Sequence, residues 1–250
     1  MDWSDNFIPS ASTSAHVTAI ELGLLTNGAF YTMNVLGDGV ARTPQPSNGC
    51  TLLTGGIYTF SIGANERVTK MEVWRNSDDY WYRFRLTLNS DVQLEYDTTP
   101  AGTSSYLYTL KINAGYEFLG FGFAGARYIC KMIDLDTFNR PATCSASIDL
   151  NSFSGSYQNI FADVTQTKLF SVTHMYCGPD IDYQVTVSPS SATPGLISLS
   201  TTSAKTMVFA LSTNIADATT YTVTVKVKPY AYSTWLTPAG TATFTYLNPC

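Results

Sequence analysis

VTKMEV, residues Val68–Val73, alternates apolar and polar side chains in the way expected of a β-strand with one buried face. The stretch Val17–Leu22 (VTAIEL) has similar alternation and chemistry about 51 residues earlier in the chain. Each stretch is followed by a polar turn and a second alternating run, Phe30–Leu36 in the first copy and Tyr80–Leu88 in the second. The sequence therefore predicts a repeated hairpin unit.

A third copy of the hairpin is predicted further along the chain. It runs from Tyr106–Ile112 through Phe118–Phe123 to Tyr128–Met132. Three hairpin-based sheets would close a prism.

The composition favours strands throughout. Charged residues make up 13% of the 250 residues, whereas the chain has 16 Tyr and 13 Phe. Aromatic and β-branched side chains suit a pleated, half-buried surface, and helix formers are scarce. We therefore expect an all-β protein, and the length favours two domains.

One segment of the first half resembles a known family. Phe118–Ile129 (FLGFGFAGARYI) is similar to the closing segment of jacalin-related lectins, and Arg67–Val73 resembles an earlier strand of that family. The resemblance covers about residues 15–136 and implies a jacalin-like β-prism for a first domain of residues 1–138.

The resemblance also implies a sugar site in the loop after this segment. Backbone amides of the loop would donate to sugar hydroxyls, and Cys130 stands where the family has an aspartate acceptor. The resemblance thus implies a modified glycan site with polar groups from neighbouring turns. Its expected residues are Gly125, Ala126, Arg127 and Tyr128, with Asp38 and Asp79 brought near by adjacent turns.

Trp81 is a further candidate contact residue. Strict alternation across residues 80–86 places Tyr82 and Phe84 in the core and Trp81 on the opposite face with Arg83 and Arg85. An exposed Trp beside two arginines could stack on a sugar ring or anchor a protein contact. The alternative is a packed inter-sheet Trp with solvated arginines.

The pattern changes after the Pro-containing stretch Thr137–Cys144. Short strand-like runs separated by turns then predict a β-sandwich over residues 139–250. The predicted strands are Ser145–Leu150, Gln158–Val164, Leu169–Tyr176, Ile181–Val187, Ile197–Leu199, Thr206–Leu211, Tyr221–Val227 and Thr241–Leu247.

Asp217–Val225 (DATTYTVTV) resembles the tyrosine corner that leads into the penultimate strand of immunoglobulin-like domains. The resemblance implies an Ig-like sandwich whose inward side chains are Tyr221, Val223, Val225 and Val227. Val223 occupies the place of the second core cysteine of antibody domains, so the second domain is expected to be Ig-like and distinct from an antibody domain.

The five cysteines occur singly, without the close pairs typical of zinc or redox sites. In an Ig-like topology Cys144 and Cys177 would lie at one pole of the sandwich, and we predict that they form a disulfide. Cys50 and Cys130 then pair by elimination, and Cys250 is left unpaired or bonded to a further module.

Several function classes are disfavoured. The net charge is −5 and the cations are dispersed, so a nucleic-acid partner is not expected. No apolar run approaches the roughly 20 residues that cross a bilayer, so membrane insertion is not expected. The two histidines, His16 and His174, fall in different predicted domains, and we expect no catalytic residues, metal or cofactor.

The sequence thus predicts an extracellular or cell-surface, non-catalytic carbohydrate-binding or adhesion protein with an Ig-like spacer. Its partners would be glycans or glycoproteins. The N-terminus has no basic region followed by an apolar stretch, so a secreted protein would be present here as its mature chain. The alternative is a structural subunit of an extracellular filament, coat or appendage, assembled by self-association or with further Ig-like modules and without sugar binding.

Overall fold

The computed structural model describes residues 16–37, 40–41, 55–76, 80–100, 105–125, 132–150, 155–158, 164–189, 197–199, 205–211, 220–236 and 240–247. Within these ranges the chain forms nineteen strands and no helix, which confirms the all-β class. The chain divides into two compact units. The first comprises Met1–Cys144 and Met175–Pro179, and the second comprises Ser145–His174 and Asp180–Cys250.

The first unit contains ten of these strands. They are β1 (Ala19–Leu24), β2 (Phe30–Gly37), β3 (Val40–Ala41), β4 (Ile57–Ser61), β5 (Val68–Asn76), β6 (Trp81–Leu88), β7 (Gln93–Asp97), β8 (Ser105–Lys111), β9 (Tyr116–Gly125) and β10 (Met132–Pro141).

Two successive Greek keys make up most of the first unit. In the first, β1, β2 and β3 pair in succession and β4 returns to lie beside β1. In the second, β5, β6 and β7 pair in succession and β8 returns to lie beside β5. Both have the spatial order that defines a Greek key, in which the fourth strand lies beside the first. The repeated hairpins predicted from VTAIEL and VTKMEV are therefore present as β1–β2 and β5–β6.

The predicted third copy is wrong in its first strand. Residues Tyr106–Ile112 lie mainly in β8, which completes the second Greek key by pairing with β5, and β9 pairs with β10 instead. Beside β5, Tyr108 and Leu110 of β8 pack against the core, and a strand's own residues do not specify which partner it pairs with. The predicted domain boundary between residues 138 and 139 falls inside β10, because pairing with β9 continues to Pro141.

One hydrophobic core is shared by both Greek keys. The side chains that fill it include Ile20 and Met33 from the first key and Met71 and Phe84 from the second, and Phe118 of β9 joins them. Burying side chains of this size stabilises the folded state by roughly 1.5–3 kcal/mol each. The alternation seen in the sequence therefore serves a single core.

The second unit contains β11 (Ser145–Asp149), β12 (Gly155–Gln158), β13 (Val164–Leu169), β14 (Ser171–Met175), β15 (Ile181–Ser188), β16 (Ile197–Leu199), β17 (Thr206–Leu211), β18 (Thr220–Pro229) and β19 (Gly240–Leu247). They form a four-stranded sheet in the order β12-β19-β18-β15, a three-stranded sheet β13-β17-β16 and the pair β11-β14. The four-stranded sheet is antiparallel except for the parallel pair β12–β19.

Alternate residues of β18 supply much of the second core. Tyr221, Val223, Val225 and Val227 are buried, as predicted, and Phe209 of β17 packs in the same cluster. The three-stranded and four-stranded sheets therefore contribute to a common apolar interior.

The segment Met175–Pro179 begins at the last residue of β14 and belongs to the first unit. The predicted Cys144–Cys177 disulfide is present, and the backbone N–H of Gly115 donates to the carbonyl of Tyr176 at 2.8 Å. Gly178 has a φ of +75°, and a Cβ there would lie 3.0 Å from the carbonyl oxygen of Ile112. Glycine is therefore required where this segment meets the first unit.

Phe84→Ala is expected to destabilise the first unit by about 3–5 kcal/mol, because it leaves a cavity in the shared core. Chemical denaturation followed by far-ultraviolet circular dichroism would measure the change. The matched control is Thr109→Ala on the exposed face of β8, which should change stability by less than about 0.5 kcal/mol. Equal effects of the two substitutions would contradict the assignment of this core.

Candidate functional site

Most residues of the predicted sugar loop lie outside the described part of the chain. Gly125 ends β9 and pairs with Met132 of β10. The other predicted site residues and cysteines outside the described ranges are Ala126, Arg127, Tyr128, Asp38, Asp79, Cys50, Cys130 and Cys250.

Trp81 is described, and of the two alternatives for its side chain the exposed one is wrong and the packed one is confirmed. The side chain is only 1% exposed and packs against Phe30 and Tyr108, at ring-centroid distances of 6.2 and 5.6 Å. The cause is a register shift in the β5–β6 ladder: Trp74 pairs with Arg83 and Arg75 pairs with Trp81, which leaves Tyr82 as an extra residue. A bulge of this kind breaks alternation, so both Trp81 and Tyr82 are buried.

A different tryptophan lies beside the two arginines. Trp74 of β5 is partly exposed, and the guanidinium carbons of Arg83 and Arg85 lie 4.4 and 5.3 Å from the centroid of its ring. The predicted combination of one Trp with two Arg therefore exists, but the Trp comes from β5 and the two Arg come from β6. The outward alternation of Lys70, Glu72 and Trp74 was the sequence signal that could have identified this residue.

Strand register brings carboxylates onto the same face. Trp74 lies opposite Arg83, and Arg83 lies opposite Asp97 on β7. In the next row, Glu72 lies opposite Arg85, and Arg85 lies opposite Glu95. We refer to these residues and their neighbour on β5 as the sheet-face array: Lys70, Glu72, Trp74, Arg83, Arg85, Glu95 and Asp97.

Glu95 is the central acceptor of the sheet-face array. It accepts a hydrogen bond from Nε of Arg83 and lies 3.2 Å from Nη2 of Arg85 through each carboxylate oxygen. Asp97 lies 3.2 Å from Nε of Arg83, and Glu72 lies 3.6 Å from Nη1 of Arg85. Lys70 completes the set at 3.2 Å from Glu72, so three cations face three carboxylates and the array is electrically neutral.

The arginines hold two of these carboxylates in the ionised state. Partial burial alone would raise the pKa of Glu95, but the hydrogen bonds and charges of Arg83 and Arg85 outweigh it and lower the pKa below its ordinary value. Partial burial would also raise the pKa of Asp97, but hydrogen bonds from Thr99 and the charges of Arg83 and Arg85 outweigh it and lower this pKa. Both side chains therefore act as acceptors at neutral pH.

A second charged cluster surrounds Glu117, a β9 side chain that is only 3% exposed. Its Oε2 atom lies 2.7 Å from Nε and 2.6 Å from Nη2 of Arg140, which pairs with it across the β9–β10 ladder. Its Oε1 atom lies 2.5 Å from Nδ1 of His16 and 3.5 Å from Nε of Arg67. Arg67 also donates to the hydroxyl of Tyr176 at 3.3 Å. The cluster therefore ties distant parts of the first unit to one carboxylate.

The sequence alone did not reveal the Glu117 cluster. The only available signal was a Glu within an otherwise apolar and aromatic run, and its partners come from positions far away in the chain. The other histidine, His174, is buried in the second unit. Among the described residues, no three or more His, Cys, Asp or Glu side chains are grouped so that they could hold a metal ion.

No helical segment in the ranges given above has the length and apolarity that crossing a membrane requires.

No family model matches the chain, and no curated protein matches it. Among solved structures, the chain is similar to the crystal structure of a prostate-specific WGA16 glycoprotein lectin, at 9% identity and a TM-score of 0.39, over 52% of this chain and 86% of that one. It is also similar to the crystal structure of lamprey immune protein, at 10% identity and a TM-score of 0.38, over 96% of this chain and 88% of that one. Neither likeness transfers a ligand or a residue role to this chain.

Glu95→Gln is expected to reduce stability in a pH-dependent way. Because the folded pKa of Glu95 lies below its unfolded value, its ion pairs stabilise the fold above the unfolded pKa, near 4, and lose this contribution as pH falls through the folded pKa. Thermal unfolding of wild type and variant between neutral and strongly acidic pH would show a difference that disappears at the acid end. Thr109→Ala should give a difference independent of pH, and a pH-independent effect of Glu95→Gln would contradict the assignment.

Glu117→Ala is expected to cost about 3–5 kcal/mol of folding free energy, because Arg67 and Arg140 lose a buried counter-ion. Urea denaturation would measure the loss. Thr109→Ala, whose side chain is exposed on β8, is the control and should change stability by less than about 0.5 kcal/mol. A loss below about 1 kcal/mol at Glu117 would contradict a structural role for the cluster.

Proposed function

We propose that this protein is a non-catalytic carbohydrate-binding protein and that the sheet-face array contacts the glycan. The observation that carries the proposal is the partly exposed Trp74 flanked by Arg83 and Arg85, with carboxylates fixed beside them. The mechanism is noncovalent binding.

The chemistry of the array suits a sugar. Each sugar hydroxyl can donate and accept a hydrogen bond, and Arg83 with Glu95 or Asp97 offers donors and acceptors side by side. Cross-strand pairing and contact with Trp74 restrain the arginine side chains, so less conformational entropy is lost when a ligand binds. The remaining exposed part of the Trp74 ring supplies apolar area for the C–H face of a pyranose.

The fold of the first unit also supports carbohydrate binding. We propose that its two Greek keys, with the β9–β10 hairpin against β2 and β5, form a jacalin-like β-prism. The repetition of the key and the sharing of one core are the features that support this. In such a prism the loop Gly125–Tyr128 would be a second glycan contact, as the resemblance to jacalin-related lectins implies.

We further propose that the second unit is an Ig-like sandwich that spaces or presents the first. The buried alternate residues of β18 and the core shared by its two larger sheets support this. The Cys144–Cys177 disulfide supports an extracellular or cell-surface location, because disulfides persist in oxidising compartments. Adhesion through a surface glycan is the role that follows.

Trp74→Ala is expected to abolish or weaken glycan binding at least about tenfold, because it removes the stacking surface and the support for both arginines. Binding would be measured on an array of neutral, sialylated and sulfated glycans and then by calorimetry with the best ligand. Arg127→Ala would be measured in parallel to separate the loop from the array.

Trp235→Ala is the matched control, because Trp235 of the second unit also carries a cation over its ring, with Nζ of Lys228 at 5.3 Å from the centroid. It should leave glycan binding unchanged. Binding that survives Trp74→Ala but is lost in Arg127→Ala would move the site to the loop. No glycan binding by the wild type, together with concentration-dependent polymerisation, would instead favour a structural subunit.

A further inference from the structure

The arginines of the sheet-face array are accessible yet neutralised. The side chains of Arg83 and Arg85 are 30% and 22% exposed, so part of each side chain is open to a ligand, although Nε of Arg85 is buried. Arginine is the usual residue for binding sulfate and carboxylate groups, because its planar donors match these anions. An anionic ligand would therefore be expected here if no protein carboxylates were present.

Protein carboxylates already contact some of these donors, namely Nε of Arg83 and the Nη atoms of Arg85. Glu95 contacts both guanidinium groups, and Asp97 and Glu72 each contact one of them. Glu95 and Asp97 are themselves partly exposed, at 32% and 42%, so an incoming anion would approach negative charge as well as the arginines. Like charges brought together at a binding surface oppose association, so the carboxylates work against the attraction of the arginines for an anion.

We propose that Glu95, assisted by Asp97, makes the sheet-face array selective for uncharged glycans by excluding sulfated and sialylated ones. The inference rests on the proposed function for the identity of the ligand. We call the contact of these carboxylates with Arg83 and Arg85 the masking of the arginines. It is a property of the array itself and can be tested separately from glycan binding.

The test compares matched ligands and matched variants. Wild type, Glu95→Gln and the double variant Glu95→Gln/Asp97→Asn would be measured by biolayer interferometry against a sulfated dextran oligosaccharide and its unsulfated counterpart. A glycan array with matched neutral and sialylated members would be read in parallel. Glu21→Gln, which removes one carboxylate from β1 in the first Greek key, is the control for a change in net charge alone.

The sulfated probe is expected to bind the wild type and Glu21→Gln weakly and equally. Glu95→Gln should raise its affinity roughly tenfold and the double variant further, because one and then two carboxylates leave the arginines. The gain should fall steeply as sodium chloride is added, since the new contacts are between opposite charges on the surface. Thermal unfolding would verify that each variant is folded. If Glu95→Gln does not fold, Asp97→Asn alone makes the same test at Arg83.

The outcomes separate the two proposals. A gain in anion binding by Glu95→Gln without neutral-glycan binding by the wild type would support the masking and overturn the proposed function. Neutral-glycan binding by the wild type, with no gain in the variants or an equal gain in Glu21→Gln, would overturn the masking and leave the proposed function standing.

Discussion

The register between β5 and β6 is the constraint on which the first unit depends. It directs Met71, Val73 and Phe84 into the shared core, and it places Trp74 opposite Arg83 on the other face. Because side chains alternate along a strand, a slip of one residue would exchange these two sets. Core packing and the composition of the candidate site are therefore fixed by the same ladder of backbone hydrogen bonds. A substitution that strengthens the core in this register also holds the charged face in place.

The parts of the fold that depend on local alternation could be predicted from the sequence. β17 has the predicted bounds Thr206–Leu211, and the buried face of β18 was identified correctly at Tyr221 and Val223. The parts that depend on the choice of partner strand could not be predicted in this way. The residues of β8 were predicted to begin a third hairpin, because nothing within them shows that they pair with β5.

The candidate site illustrates the same limit. The sequence predicted that Arg83 and Arg85 share a face with a tryptophan. Strict alternation identified this residue as Trp81, whereas the structure has Trp74 beside the arginines. The bulge that buries Trp81 arises from how two strands fit together, and a single strand contains no direct record of it. The three partners of Glu117 are still harder to infer, because His16, Arg67 and Arg140 come from widely separated positions.

The segment Met175–Pro179 has a consequence for how the protein is made. It completes the first unit although the strands before and after it belong to the second, and Cys177 lies 33 positions beyond its partner Cys144. During translation, the first unit consequently lacks its last contacts until the strands β11 to β14 and the segment itself have been synthesised. This disulfide therefore cannot close before Cys177 has been made, and the oxidant that closes it acts on a chain that already contains the strands β11 to β14.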